Sequence, residues 1–447
     1  MTDNVALLSS FQAETRAASL RKLAAETTFP AERDWVNMHI HTFFSYNGEG
    51  WSPTRIAYEM KKLGLYAAAI CDFDVLEGVE EFLSAADLLQ LRSAAGFESR
   101  VFFNEYADQE INSPGEPGVF YFMGMGFVHP PPASSKAASA FADMLNRSHT
   151  RNRDLIARIN AKITRFQLDY DRDVLPLTPR GNATERHIIA AFQAKALNAL
   201  GGKAQAAAYW ADTFSIDPAD ANAKIADTNA FAEFLRSKLI KRGGLGYQQP
   251  TAQTFPLLDD VIAAIQECRA IPMCAWLDGA SQAEQKPEPF LQTLIAKGVV
   301  AVNIIPDRNW NFKDKDVQTK KIAALDEFVR LSRRYHLPIN VGTEGNKPGQ
   351  RLVDDFTAEA MRRHHQAFLE GAQVMVGHTR LLRYANVSYI DPTIDGRKPT
   401  PEQRLAFFAS VGALPAPPAN VRKKLADSVP DQAFAYLADS AAKHAWQ

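Results

Sequence analysis

Apolar positions recur at helical spacing from the start of the chain. Val5, Leu8, Phe11, Leu20 and Leu23 predict a helix over 5–26, which Pro30 ends. Trp35 to His41 is a short strand-like run. From Ser52 to Gly64 the punctuation is that of a second helix, with Ser52 as cap, Pro53 in the first position, Gly64 at the stop, and Ile56, Met60 and Leu63 on one face. Tyr66–Cys71 predicts another buried strand, so the opening theme is β-α-β. A helix over Val79–Ala95 then leads to a strand at Val101–Glu105. The apolar run Val119–Val128 follows a Gly- and Pro-rich turn at Ser113–Gly118.

Strand and helix alternate again late in the chain. Ile271–Trp276, Val299–Ile305, Pro338–Val341 and Val374–His378 predict strands, with helical patterns at 288–297 and 318–335 between them. Such alternation predicts an α/β fold on a mainly parallel sheet, closed as a barrel or left open. The middle breaks the rhythm. Residues 130–249, from Pro130-Pro131-Pro132 to the region of Pro250, are polar, alanine-rich and helical in pattern. They predict a helical insertion between two barrel segments, 34–129 and 250–390, with an N-terminal helical segment at 1–33 and a helical tail at 391–447.

Composition removes several classes of function. The 447 residues carry 50 basic and 51 acidic side chains, a formal net charge of -1, which provides no global field for nucleic acid or an anionic membrane. Cys71, Cys268 and Cys274 form neither a disulfide framework nor a CxxC pair. The acidic start Met1-Thr2-Asp3-Asn4 lacks the features of a signal peptide, and no stretch reaches the length of a membrane span. The expectation is a cytoplasmic protein with a small-molecule partner and neither nucleic acid nor membrane.

His39 and His41 stand two apart on a predicted strand, so both imidazoles project to one side and can share a metal. A pair of ordinary polar residues at a strand end fits the same spacing. The surrounding residues tip the balance. His39-Ile40-His41-Thr42-Phe43-Phe44-Ser45-Tyr46-Asn47-Gly48 resembles the first motif of the polymerase and histidinol phosphatase (PHP) superfamily, HxHTxxSxxDG, with Asn47 in place of Asp. Cys71-Asp72-Phe73 stands where that family has Thr-Asp-His, and Glu105 stands at the end of the next predicted strand, where the family has a Glu. Gly342-Thr343-Glu344-Gly345-Asn346 resembles its Gly-Ser-Asp-x-His motif. Glu185-Arg186-His187-Ile188-Ile189-Ala190 is similar to the substrate-loop motif Arg-Pro-His-Ile-Ala of one branch. The resemblance runs collinearly over roughly residues 35–350 and implies a distorted (β/α) barrel of the PHP type.

It also implies an uneven set of ligands. A first metal is expected on His39, His41, Glu105 and Glu344. A second would share Glu105, but its histidine positions hold Tyr121 and Trp276. A third would need Asn47, Phe73 and Asn346, of which phenylalanine cannot ligate. One divalent metal per chain follows, zinc, manganese or iron, because a mixed imidazole and carboxylate set suits all three.

His187 is a candidate proton donor and Arg186 its companion for a phosphate or carboxylate, although a helix start capped by Thr184 explains both equally well. Asp72, at a strand end, is a candidate general base. Lys347 and Arg351 offer charge at the mouth or are plain solvated cations, and His378 closes an apolar run that could reach the same rim. The expected activity is metal-dependent hydrolysis of a small anionic substrate, such as a phosphomonoester or nucleotide. The alternatives are a mononuclear hydrolase of carbohydrates or amides, a degenerate barrel that binds without catalysis, and, disfavoured by the balanced charge, a nucleic-acid processing module.

Overall fold

A computed structural model describes residues 3–447. Its centre is a seven-stranded sheet in chain order, β1 (Val36–Ile40), β2 (Ala67–Phe73), β3 (Arg92–Phe102), β4 (Val119–Met125), β5 (Ile271–Trp276), β6 (Ala301–Ile304) and β7 (Ile339–Val341). Neighbours pair parallel throughout except at β4, which runs antiparallel to both β3 and β5. Only a 3-10 turn (Asn104–Tyr106) lies between β3 and β4, so the chain doubles back instead of crossing over on a helix, as parallel pairing requires. Past β7 the ring closes on β1. The His41 N–H donates to the Glu344 carbonyl at 2.7 Å, and the Glu344 N–H to the His39 carbonyl at 2.8 Å. The protein is a distorted (β/α) barrel carrying a helical insertion and a helical tail.

Three expectations change. The predicted helix over 5–26 is two helices, Asn4–Leu7 and Ala13–Glu26. The helix at 79 stops at Leu89, where Gln90 turns left-handed (φ 52°), and β3 begins at Arg92. Ala94-Ala95 has helical propensity, but pairing of this segment to β2, and from Gly96 onward to β4, overrides it. At Gly96 an added Cβ would lie 2.3 Å from the Gly124 carbonyl oxygen, so only glycine allows that approach. The run Val374–His378 is no strand: it belongs to a helix, His365–Ala385. That helix is buried on nearly all sides, against β7 at Gly371 and against the tail helix Pro401–Ala413 at Gly377. Burial all round produces a continuous apolar run that periodicity cannot assign.

The barrel and the tail share one core, from Val36 and Ile70 to Phe408 and Leu437. The insertion has its own, built on Ile159, Phe192, Trp210 and Leu235. It is tied down over the C-terminal ends of β1 and β2. The Asn182 amide, buried, donates to the carbonyls of Phe44 (3.1 Å) and Phe73 (2.7 Å). Leu145 packs on a small apolar cluster of Phe43, Phe44 and Val75. Among the described residues no helix is long and apolar enough to cross a membrane.

Candidate metal centre

β1 delivers His39 and His41 on the inner side of the barrel, both with no exposed surface. Glu98 of β3, opposite Phe73 of β2 in the register, meets them there. Its Oε2 lies 3.5 Å from His39 Nε2 and 3.3 Å from His41 Nε2. These three atoms are buried and have no hydrogen-bond partner. Leaving such groups unpaired costs free energy, about 1–3 kcal/mol each and more when charged. Their spacing matters more than their number. Two ligands about 2.0–2.2 Å from a tetrahedral metal stand roughly 3.3–3.6 Å apart, which matches the two separations from Glu98, and all three atoms lie within 4.8 Å of one another.

The carboxylate that meets the two histidines is Glu98, whereas the expected Glu105 lies away from them. β3 ends at Phe102, so Glu105 falls in the turn beyond it, 46% exposed and ion-paired with Lys297 at 2.5 Å. The Glu98 signal was present in the sequence: Glu98 and Arg100 alternate with Phe97, Ser99 and Val101 at period two, in a stretch that helical propensity hides. Burial alone would push the Glu98 carboxyl up, but the imidazoles of His39 and His41 outweigh it and bring it down to about 2. For His41, burial lowers the ring and the Glu98 carboxylate overcomes it, a net rise.

Glu344 lies at the seam of β7 and β1 through its backbone, at φ 66°. Its carboxylate turns to the rim, 3.5 Å from Arg308 and 3.4 Å from the Asn346 amide, outside the set formed by the histidines and Glu98. The remaining positions of the cluster are occupied by packing. Phe73 stacks on His41 (4.5 Å, 14°), with Tyr121 edge-on beyond it, and Trp276 stacks on Phe328 (3.9 Å, 14°). Asn47 is used by its own loop, donating to the His41 carbonyl and accepting from Glu49 and Trp51.

Asp72 is not free to act as a general base. Oδ1 accepts from the Thr42 N–H (2.7 Å) and the Ser45 hydroxyl (2.6 Å), and Oδ2 from the Thr42 hydroxyl (2.7 Å). Ser45 Oγ in turn lies 3.3 Å from His41 Nδ1. Asp72 thus orients His41 through Ser45, as carboxylates commonly do behind a ligating histidine.

His187 and Arg186 open the insertion helix Glu185–Leu200. The His187 ring packs edge-on against Tyr46 of the loop after β1, at 5.1 Å, which brings the insertion to the site. Its Nδ1 accepts from the Thr184 N–H at 3.1 Å, so a neutral ring carries its proton on Nε2. Burial lowers its pKa to about 4, which keeps it neutral near pH 7. Arg186 pairs with Glu233, and Glu185 with Arg236 and, at 3.0 Å, Lys241. Lys347 adds positive charge near Glu233, while Arg351 covers the Trp310 ring at 5.9 Å. His378 lies elsewhere: buried in the helix His365–Ala385, it is 3.0 Å from the Gly126 carbonyl and accepts from the Tyr389 N–H. Gly126 follows β4 where β5 begins, at the N-terminal side of that strand, so His378 does not reach the rim.

No family model and no curated protein matches this chain. The solved structures similar to it include the following two. One is a protein named as a metal-dependent phosphoesterase, from Bifidobacterium adolescentis, 17% identical, with 76% of this chain and 98% of that one covered at a TM-score of 0.43. The other is an amidohydrolase from Chromobacterium violaceum with bound sulfate and no metal, 15% identical, with 74% and 96% covered at a TM-score of 0.48. Neither likeness bears on the chemistry of this chain.

Proposed function

We propose that the protein is a metal-dependent hydrolase of the PHP type, holding one divalent cation on His39, His41 and Glu98 and acting on a small anionic substrate such as a phosphomonoester or nucleotide. The observation that carries this reading is the convergence of three buried, unpaired ligand atoms, with Glu98 Oε2 3.5 and 3.3 Å from the two imidazole nitrogens. The first-motif resemblance around His39 and His41 supports it. A metal bound there supplies Lewis acidity and a water of lowered pKa. The chain's own residues do the rest. Phe73 covers the His41 ring, and Asn182 ties the insertion to the chain just beyond β1 and at the end of β2. We assign to His187, a neutral ring with its proton on Nε2, a hydrogen bond donated to a leaving oxygen. Arg308, half exposed beside Glu344, and Lys347 offer positive charge to an anionic substrate at the rim.

A second reading, a barrel that binds without cutting, draws on the stacked Phe73 and Trp276, which leave no place for further metals. Metal content per chain, by elemental analysis of protein purified without chelator, separates the two. The hydrolase reading expects about one metal per chain, lost in His39→Ala and Glu98→Gln and kept in Glu105→Gln, with phosphate release from an ester panel following the metal. No metal after incubation with zinc, manganese or iron refutes it. Metal without turnover on any ester supports the binding barrel.

A further inference from the structure

The two histidines are held from behind by different groups, and the difference decides which nitrogen of each ring carries a proton. Behind His39 stands a chain of two asparagines, all three side chains fully buried. Asn303 of β6 and Asn340 of β7 are opposite one another in the parallel register. The Asn340 amide Nδ2 lies 2.9 Å from the Met38 carbonyl oxygen and 2.9 Å from Asn303 Oδ1. A carbonyl oxygen only accepts, so Met38 fixes the amide face of Asn340. Asn340 then needs an acceptor on its second hydrogen, which fixes Oδ1 of Asn303 towards it. The Nδ2 of Asn303 is left facing His39 Nδ1 at 3.2 Å. An amide nitrogen only donates, so His39 Nδ1 must be a lone pair, and a neutral ring has its proton on Nε2.

His41 is held the other way round. Ser45 has one hydroxyl proton and gives it to Asp72 Oδ1 at 2.6 Å. Towards His41 Nδ1 at 3.3 Å it presents a lone pair, so that nitrogen carries the hydrogen and Nε2 is free. Turning both asparagine amides over would let Asn303 accept from His39. It would also set Asn340 Oδ1 against the Met38 carbonyl at 2.9 Å; one amide atom of Asn340 is unpaired in either arrangement, so this clash of two acceptors decides between them.

We propose that Asn303 is a positioning residue that keeps the His39 proton on Nε2, so that the two imidazoles meet Glu98 in opposite tautomers and the metal affinity of the site is set by Asn303. This rests on the metal reading above. With both rings neutral, His41 offers a lone pair, Glu98 a carboxylate, and His39 an N–H on the nitrogen that lies 3.5 Å from Glu98 Oε2. A cation can use His39 only when that proton leaves and the asparagine pair turns, and the cost of both weakens binding. Asn303→Asp reverses this. One carboxylate oxygen accepts from Asn340 Nδ2 and the other from a proton on His39 Nδ1, which frees Nε2. The two rings then match, each with a carboxylate behind it, directly for His39 and through Ser45 for His41.

The test uses the full chain, metal-free and labelled with 15N only in histidine, with the pH raised until the ring shifts stop changing, because the Glu98 carboxylate raises His41 above free imidazole. Ring 15N shifts separate Nδ1–H from Nε2–H, and His39→Ala and His41→Ala identify the peaks. The expected result is Nε2–H at His39 and Nδ1–H at His41 in the wild type, with Nδ1–H at both in Asn303→Asp. Zinc competition against a chelator should show Asn303→Asp binding about 10- to 100-fold more tightly, the usual size of such outer contacts. Nδ1–H at His39 in the wild type overturns the proposal and leaves the metal reading standing. The wild-type spectrum alone decides this should Asn303→Asp not fold. The expected tautomers with no zinc bound by either protein uphold the assignment of the proton and remove the metal reading instead.

Discussion

Ser45→Ala isolates the contact that holds His41. The hydroxyl is fully buried, gives its proton to Asp72 at 2.6 Å, and receives the His41 Nδ1 proton at 3.3 Å. A hydrogen bond to a charged acceptor contributes about 1.5–3 kcal/mol, and a buried ring N–H left unpaired costs about 1–3 kcal/mol. The two losses share one network and do not add in full, so the expected destabilisation is about 2–4 kcal/mol. The metal should suffer as well. A ligating imidazole without its outer acceptor is less basic and free to turn, which weakens binding about 10- to 100-fold. Thr42→Val is the control. It removes the 2.7 Å hydroxyl bond to Asp72 and the bond from Phe44, and leaves Ser45 on His41. The two variants should be destabilised to a similar degree, by thermal or denaturant melts of metal-free protein. Only Ser45→Ala should lose zinc affinity in a competition titration. Equal zinc affinity in Ser45→Ala and wild type would refute the role assigned to the Asp72–Ser45 pair.

Asp354 supplies a pH-dependent prediction. It is 4% exposed, neither carboxylate oxygen has a partner, and burial, with Asp307 adding to it against Arg351, raises its pKa from 3.8 to about 7. Because the folded value is the higher one, the unfolded chain ionises first. Stability is therefore lost as pH climbs from about 4 to about 7, and at about 1.4 kcal/mol per pH unit this reaches roughly 4 kcal/mol at most. Asp354→Asn should match the wild type near pH 4 and be more stable by up to that amount at pH 8. An advantage that does not change with pH in melts would count against this account. At two positions where the resemblance expects ligands, Phe73→His combined with Asn346→His should raise the metal count per chain above that of the wild type by elemental analysis. An unchanged count would mean that Cys71-Asp72-Phe73 does not correspond to the second motif of the PHP superfamily.

Local pattern was enough to place the histidines. His39 and His41 follow from two-residue spacing on a strand, and the residues to Gly48 gave them context, including the Ser45 that proves to hold His41. The β-α-β opening, the helical insertion and the late strands at 271, 299 and 338 were legible for the same reason: each is encoded by the period of its own side chains. Glu98 was missed despite its period-two signal, because its place depends on where β3 begins. That start is decided by pairing with β2 and by the close approach of Gly96 to Gly124, across 28 residues of chain. Once β3 slides back, Glu105 falls off its end and finds Lys297. Val374–His378 misled for a related reason, since a helix enclosed on all sides shows no polar face to reveal its period. The role of Asp72 was likewise decided in three dimensions. A carboxylate at a strand end reads as a base until three donors from a neighbouring loop are seen to occupy it. Sequence by itself therefore determined the elements and the two imidazoles. Tertiary pairing, which sets strand ends and brings Glu98, Asn303 and Ser45 around those rings, decided which residues complete the site and how each nitrogen is held.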